Sequence, residues 1–313
     1  MIEVENLTKR YGTTVAVDGL SFTVRPGRVT GFLGPNGSGK STTLRMILGL
    51  DAPARGRATI GGRPYTAIRK PLLQVGALLD ANAAHPARSA ASHLLGIAVT
   101  NGIGRRRVKE VLAQTGLEKA ARKRVGGFSL GMKQRLGVAV ALLGDPPILL
   151  WDEPVNGLDP EGVHWIRSLM KTLAAEGRTV FVSSHLMNEM AVTADHLVII
   201  GRGRLIADVP TADFLAESAR SDVLVRSSQP AELARLLAAA GGKVGVTTGT
   251  GEDGALAVTG LDAAAIGRIA AAHRIGVHEL TVRQASLEQA FLDATNAAVD
   301  YRAAGQLTAK KEN

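Results

Sequence analysis

Cysteine is absent from this 313-residue sequence, which excludes disulfides and thiolate metal sites. Long apolar runs are absent too. A membrane-crossing helix needs roughly 18 or more such residues, and the greasiest stretch, 136–150, is cut by Asp145-Pro146-Pro147. The first residues, Met1-Ile2-Glu3-Val4-Glu5, lack the basic region and apolar core of a secretory signal. No N-K-x-D guanine motif occurs, and neither does an internal repeat or low-complexity tract. These absences predict a soluble, cytoplasmic protein unless a partner holds it at a membrane.

What remains is ordinary globular composition, 45% hydrophobic and 21% charged, enough for one large or two smaller domains. The net charge of +9 is unevenly spread. Residues 101–135 carry ten Lys and Arg (105, 106, 107, 109, 119, 122, 123, 124, 133 and 135) against Glu110 and Glu118. Such a block marks either an anionic neighbour (lipid headgroups, nucleic acid or a partner's acidic face) or a solvated helix face.

The densest chemistry lies in Gly34-Pro35-Asn36-Gly37-Ser38-Gly39-Lys40-Ser41-Thr42, which fits G-x-x-x-x-G-K-[ST] at every fixed position. An apolar run, Val29-Thr30-Gly31-Phe32-Leu33, precedes it and reads as a buried strand. Residues 43–50 follow as a helix with Leu44, Ile47 and Leu48 on one face. Strand, glycine loop and helix make a phosphate site. Glycines 34, 37 and 39 let successive N–H groups point inward, and the helix N-terminus adds its positive dipole end. Lys40 reaches the β- and γ-phosphates of a nucleoside triphosphate, and the Ser41 hydroxyl is placed to ligate Mg²⁺.

Elsewhere the first 33 residues read as strands 2–6, 15–17 and 20–25, with turns at Tyr11-Gly12 and Pro26-Gly27. Short strands follow at 58–60 and 73–79. The region from about 83 to 143 is helical, with one helix over 105–116. Apolar strands at 147–151, 179–183 and 196–200 alternate with a helix over 163–176. This predicts an α/β core with a covered parallel sheet. A hairpin turn at 201–204 leads into a strand over 205–209.

Near 218 the composition shifts. Strands at 223–226, 243–248, 255–259 and 277–282 and helices at 231–240 and 262–273 follow in β-α-β-β-α-β order, the ferredoxin-like order. A last helix is expected over 286–294, and a mobile tail from about 301. The aromatic pairs of RNA-binding sheets are missing here, and His273 and His278 lack companions at metal-ligand spacing.

A second part of the site is Ile148-Leu149-Leu150-Trp151-Asp152-Glu153. Two carboxylates emerge at the C-terminal end of a buried strand, where ligands bind in open α/β sheets. Asp152 is assigned to Mg²⁺ through water, and Glu153 to polarising the attacking water as general base. Some twenty residues upstream, Ser129-Leu130-Gly131-Met132-Lys133-Gln134-Arg135 opens an apolar-periodic helix.

With these three stretches in order, residues 1 to about 215 resemble the ATP-binding cassette (ABC) family. The 129–135 stretch resembles that family's L-S-G-G-Q signature. Phe128 stands for its leucine, Leu130 for the first glycine and Met132 for the glutamine, while Ser129 and Gly131 are kept. The resemblance places Tyr11 against adenine and Asn156-Gly157-Leu158-Asp159 as a loop crossing between subunits. It sets His185, in Ser183-Ser184-His185, at the γ-phosphate. Asp80 stands where the family usually has glutamine near the metal; Gln74 lies too early. An acid there still reaches Mg²⁺ through water, and we expect an altered metal or coupling step.

The resemblance implies a P-loop ABC ATPase core over 1–218, with an antiparallel β-subdomain and a helical subdomain at about 83–143. A small C-terminal α+β domain occupies 219–300, and 301–313 is tail. It implies ATP and Mg²⁺ as ligands, and a second copy whose Ser129 and Gly131 complete the first copy's phosphate site. The signature variant, Asp80 and the C-terminal extension resemble bacterial ABC-2 exporter ATPases, including drug-resistance subunits. A separate permease would then hold the chain at the cytoplasmic face of the membrane, with the 101–135 block near anionic inner-leaflet lipid. No nucleic-acid partner is expected. The alternatives are a soluble ABC-type ATPase acting on nucleic acid or ribosomes, favoured only by the basic block, and a hydrolysis-dead regulatory module, opposed by the intact Lys40, Asp152, Glu153 and His185.

Overall fold

The computed structural model describes residues 1–218, 222–246 and 254–283. The chain divides into two compact units, Met1–Thr211 and Ala212–Asn313.

In the first unit, β1 (Ile2–Tyr11) and β2 (Thr14–Val24) form a long hairpin. Ile2 and Val4 are buried while Glu5 is exposed, the alternation of a sheet covered on one face. Next come β3 (Arg28–Leu33), α1 (Lys40–Ile47) and β4 (Arg55–Ile60). Strand β4 pairs with β1, completing an antiparallel sheet of order β2-β1-β4. Then follow β5 (Val75–Leu78), α2 (Ala90–Thr100), α3 (Arg105–Gln114) and α4 (Leu130–Leu142). The unit continues through β6 (Ile148–Asp152), α5 (Pro160–Ala175), β7 (Thr179–Ser184), α6 (Met187–Thr193), β8 (His196–Gly201) and β9 (Arg204–Pro210). Helix α7 (Thr211–Ser218) starts at the last residue of this unit, and its remaining residues belong to the second.

The second sheet runs β5-β6-β7-β3-β8-β9, parallel except for the β8–β9 pair. Its inner strands β6, β7, β3 and β8 are largely apolar without alternation because both faces are covered; all six residues of β7 are buried, whereas the edge strand β9 is largely exposed. The two sheets meet at Phe22 of β2, Phe32 of β3 and Phe181 of β7, whose ring centroids lie 5.2 to 5.6 Å apart. Helix α4 packs against β5 so closely that a Cβ on Gly76 would strike the Ala141 carbonyl. That contact sets the signature helix beside the sheet that carries the acid pair.

The fold class is the one expected, with differences at element ends. Strand β1 runs past the expected end at Asn6 to Tyr11 because pairing with β2 continues to Tyr11–Thr14, while Glu5, Lys9 and Arg10 hide the alternation in the sequence. Residues 71–73 form a short 3-10 turn, so the strand expected over 73–79 begins at Val75. The helix expected over 105–116 ends at Gln114, and that over 163–176 begins at Pro160. Helices α6 and α7 were not expected; α6 has only seven residues, too few for a clear period.

The second unit contains β10 (Asp222–Ser227), α8 (Pro230–Ala239), β11 (Lys243–Val246), β12 (Leu256–Thr259), α9 (Ala263–Ala272) and β13 (Val277–Arg283). The antiparallel sheet order is β11-β12-β10-β13. This is the expected β-α-β-β-α-β series. Asp262 caps α9, accepting from the Ala265 N–H at 2.6 Å. Val223, Val225, Leu233, Leu237, Leu256, Val258 and Ile266 form its core. The helix expected over 286–294 and the tail from 301 lie outside the described residues.

Candidate nucleotide site

The phosphate loop is built as its glycines require. Gly39 caps α1 in the left-handed conformation, φ 102°, and a Cβ there would sit 2.5 Å from the Ala16 carbonyl oxygen. Gly34 is buried against the Ser38 side chain and the Ile200 carbonyl, again without room for a side chain. Pro35, Asn36 and Gly37 form the exposed tip. Helix α1 has neither a side-chain cap nor an acid in its first turn, which leaves the positive end of its dipole suited to an anion. Ser41 is exposed and Thr42 half-buried on that first turn.

Lys40 is only 6% exposed. Its ammonium donates to the carbonyls of Gly34 at 2.7 Å and Pro35 at 3.3 Å. It lies 3.8 Å from Glu153 Oε1. Burial pulls the Lys40 pKa down; the charges of Glu153 and Asp152 act against that pull.

Strand β6 delivers Asp152 and Glu153 to the same end of the sheet. The Ser183 hydroxyl donates to Asp152 Oδ1 and accepts from the Glu153 N–H at 3.1 Å. Glu153 has φ +50°, which costs a residue with a side chain roughly 1–2 kcal/mol. It is held there from both sides. Its N–H also donates to the Ser183 carbonyl, and its carbonyl accepts from the Asn156 N–H at 3.2 Å and from Gln134 Nε2 at 2.8 Å. Its second carboxylate oxygen meets His185 Nδ1 at 2.8 Å. Lys40, Asp152, Glu153 and His185 are thus one cluster.

The other expected residues sit apart from it. Ser129 caps α4 by accepting from the Met132 N–H at 3.2 Å, and Gly131 faces the Gly157 carbonyl of the same chain. Leu130 packs on Gly157, where a Cβ would collide with it. Asp159 caps α5, accepting from the Gly162 N–H at 2.8 Å. Tyr11, at the end of β1 and 49% exposed, donates to Asp51, which Arg45 of α1 also holds. Asp80 lies two residues past β5, where its Oδ1 accepts from the Asn82 N–H at 2.8 Å in an Asx turn. Among the described residues, none of Tyr11, Asp80, Ser129, Gly131 and Asp159 makes a hydrogen bond or ion pair with the Lys40 cluster.

Two members of the site were not singled out from the sequence, Ser183 and Gln134. Both lay inside quoted motifs, but a sequence does not say that partners 19 or 30 residues away share a hydrogen bond. Part of the basic block has partners within the chain. The Arg107 guanidinium is spent on the Leu142 and Leu143 carbonyls, Glu110 and Asp145. Arg135 stacks on Trp165 and donates to the Thr115 carbonyl, and Lys133 donates to Asn82.

A glycine loop joining a central parallel strand to an uncapped helix, with an acid pair at the same end of the sheet, defines a P-loop nucleotide-binding domain. The sequence matches the "ABC transporter" family model over residues 17–156. It is 42% identical over 213 residues to the bacitracin transport ATP-binding protein BcrA of Bacillus licheniformis, covering 67% of this chain and 70% of that protein. It is 38% identical over 228 residues to the Nod factor export ATP-binding protein I of Paraburkholderia xenovorans (strain LB400), covering 71% of this chain and 75% of that one. Among solved structures, the dimeric structure of a bacterial ABC transporter cassette superposes with a TM-score of 0.63 at 27% identity, covering 67% of this chain and 99% of the other. Residues 221–288 match a family described only as a domain of unknown function. The chain belongs to the ATP-binding, ATP-hydrolysing subunits of ABC transporters.

Proposed function

We propose that this chain is the ATPase subunit of an ABC exporter, that two copies sandwich ATP, and that hydrolysis drives a separate membrane permease. The observation that carries this reading is the contact chain Lys40–Glu153–His185 at the mouth of the phosphate loop. It joins a phosphate-binding cation, an acid held in a fixed conformation and a histidine that orients the acid. Relatives named for transport and export favour this reading over a soluble ATPase acting on nucleic acid or ribosomes.

The residues divide the work as follows. The loop 34–42 and Lys40 hold the phosphates, and Tyr11 stacks on adenine. Glu153 takes the proton of the attacking water, with His185 steering it and touching the γ-phosphate. Ser129, Gly131 and Asp159 of each copy face the other copy's nucleotide. Ser41 and Asp152 offer hard oxygen donors that fit Mg²⁺, which keeps waters and binds through one or two protein groups plus phosphates. Bound there, the ion neutralises phosphate charge. The Asx turn engages Oδ1 of Asp80, and its second oxygen would serve Mg²⁺ through water.

Residues 1–218 would be the cassette and 219–300 an accessory domain. No helix among the described residues is long and apolar enough to cross a membrane, so the permease would hold the chain at the cytoplasmic face. Arg105, Arg106, Lys109, Arg122, Lys123 and Arg124 are exposed and would face anionic lipid.

Light scattering of a Glu153→Gln variant with and without MgATP tests the reading. Binding without hydrolysis should trap a closed pair and double the mass. A variant that binds MgATP and stays monomeric would refute the sandwich.

A further inference from the structure

The geometry points to Gln134 as a positioning residue through which the signature helix holds Glu153 ready for hydrolysis. This inference rests on the role proposed above for Glu153. Helix α4 starts at the cap Ser129, and Gln134 lies five residues on, about 7.5 Å along the axis. It is only 5% exposed in a helix that otherwise buries apolar residues such as Leu136, Val138 and Ala139. A buried amide is costly unless it is used.

Only one half of this amide is used. Nε2 donates to the Glu153 carbonyl at 2.8 Å, while Oε1 is buried with no partner among the described residues. Flipping the amide would set two acceptor oxygens face to face, so the carbonyl fixes its orientation. The bond therefore spends a buried amide to grip one peptide group. That peptide belongs to the residue with φ +50° whose carboxylate touches Lys40 and His185. Ser183 grips the N–H side from β7, and Gln134 and the Asn156 N–H grip the carbonyl side.

The consequence is a link between two ATP sites. In a sandwich dimer the N-terminus of α4 meets the partner's nucleotide, while Gln134 of the same helix holds the acid of its own site. A displacement of α4 on docking reaches Glu153 through one hydrogen bond. Ser183, fixed in the sheet, does not move with that helix.

The test is a double-mutant cycle in the full chain, read by steady-state and single-turnover hydrolysis. Gln134→Met keeps length and loses the donor. Gln134→Glu keeps shape more closely and serves if the first variant folds poorly. Misplacing a catalytic group by about 1 Å costs up to about 100-fold. We expect kcat to fall about 10- to 100-fold, with KM for MgATP changed by less than about 2-fold. Because Gln134 acts only through Glu153, the double variant with Glu153→Gln should be no slower than Glu153→Gln alone, within about 2-fold. A kcat near wild type, or a double variant slowed by the product of the single effects, overturns the proposal. A wild-type chain without MgATP hydrolysis, or a fully active Glu153→Gln variant, would instead refute the reading on which it rests.

Discussion

The Lys40 ammonium lies 3.8 Å from Glu153 Oε1, yet its hydrogen bonds go to the carbonyls of Gly34 and Pro35 within its own loop. The loop thus holds the cation proposed to bind phosphate folded back on itself, beside the acid that would act on water. The arrangement keeps a buried charge partnered.

That relationship separates folding from function. Burial disfavours the charged form of Lys40, and Glu153 keeps its contact with His185 when the ammonium is removed, so the desolvation relieved offsets the ion pair and hydrogen bonds lost. Lys40→Met should leave the melting midpoint of the nucleotide-free protein within about 3 °C of wild type. Hydrolysis should fall by more than about 100-fold, since the cation stabilises charge on the transferred phosphoryl group. Thermal melts and a phosphate-release assay read the two effects separately. A large drop in midpoint would mean that Lys40 chiefly holds the loop together.

The loop was legible in the sequence because its determinants are local. Strand, glycines, lysine and helix follow within twenty residues, and each reads from its own neighbours. The acid pair was legible for the same reason: four apolar residues run into Asp152 and Glu153. The grip on Glu153 was not. It depends on which side chain of α4 reaches the Glu153 carbonyl and which hydroxyl of Ser183-Ser184 meets the acid pair, and both are set by packing. Asp80 was visible as a departure from the family's glutamine, but its Asx turn with Asn82 is a fact of conformation. Within the basic block, composition cannot tell Arg106, 94% exposed, from Arg107, 21% exposed.

Asp80 gives a metal prediction. If its second oxygen serves a metal-bound water, Asp80→Gln keeps an oxygen and loses the charge. Outer-shell groups of this kind change metal affinity by about 10-fold or more. The Mg²⁺ concentration for half-maximal hydrolysis should rise about 10-fold at saturating ATP. Titration of Mg²⁺ at fixed free ATP measures it. An unchanged titration would leave Asp80 with its Asx turn alone.

The arginines of α3 should part company. Arg107 donates to two carbonyls at the C-terminal end of α4 and pairs with Asp145, so it closes the signature helix. Arg107→Ala should cost about 1.5–3 kcal/mol, the range for hydrogen bonds to a charged group. Denaturant unfolding reads that loss. Arg105 and Arg106 are exposed, and the exposed Arg106–Glu110 pair is worth little, so converting both to Gln should leave the unfolding curve in place. If the block meets anionic lipid at roughly 1 kcal/mol per residue, the same pair should weaken binding to phosphatidylserine vesicles by about 10-fold or more. Vesicle binding that is equal for wild type and variant would return the block to a solvated helix face.

His93 supplies a prediction in pH. It sits on α2 beside an apolar cavity lined by Leu78, Ile97, Leu136 and Val140. Burial, and secondarily the charge of Arg88, hold its pKa below the ordinary value of 6.5. In the unfolded chain the imidazole takes up its proton near that ordinary value; in the folded chain it resists. As pH falls through about 6.5 the unfolded state binds the extra proton and stability is lost. Above that range both states are neutral, and the group makes stability independent of pH. His93→Leu removes the titrating group and suits the apolar lining. Between pH 7.5 and 5.5, its melting midpoint should fall less than that of wild type. Carboxylates contribute to the acid limb of both proteins alike, so the difference between the two curves isolates His93. Parallel curves would mean that its proton is as readily bound in the folded protein as in the unfolded chain.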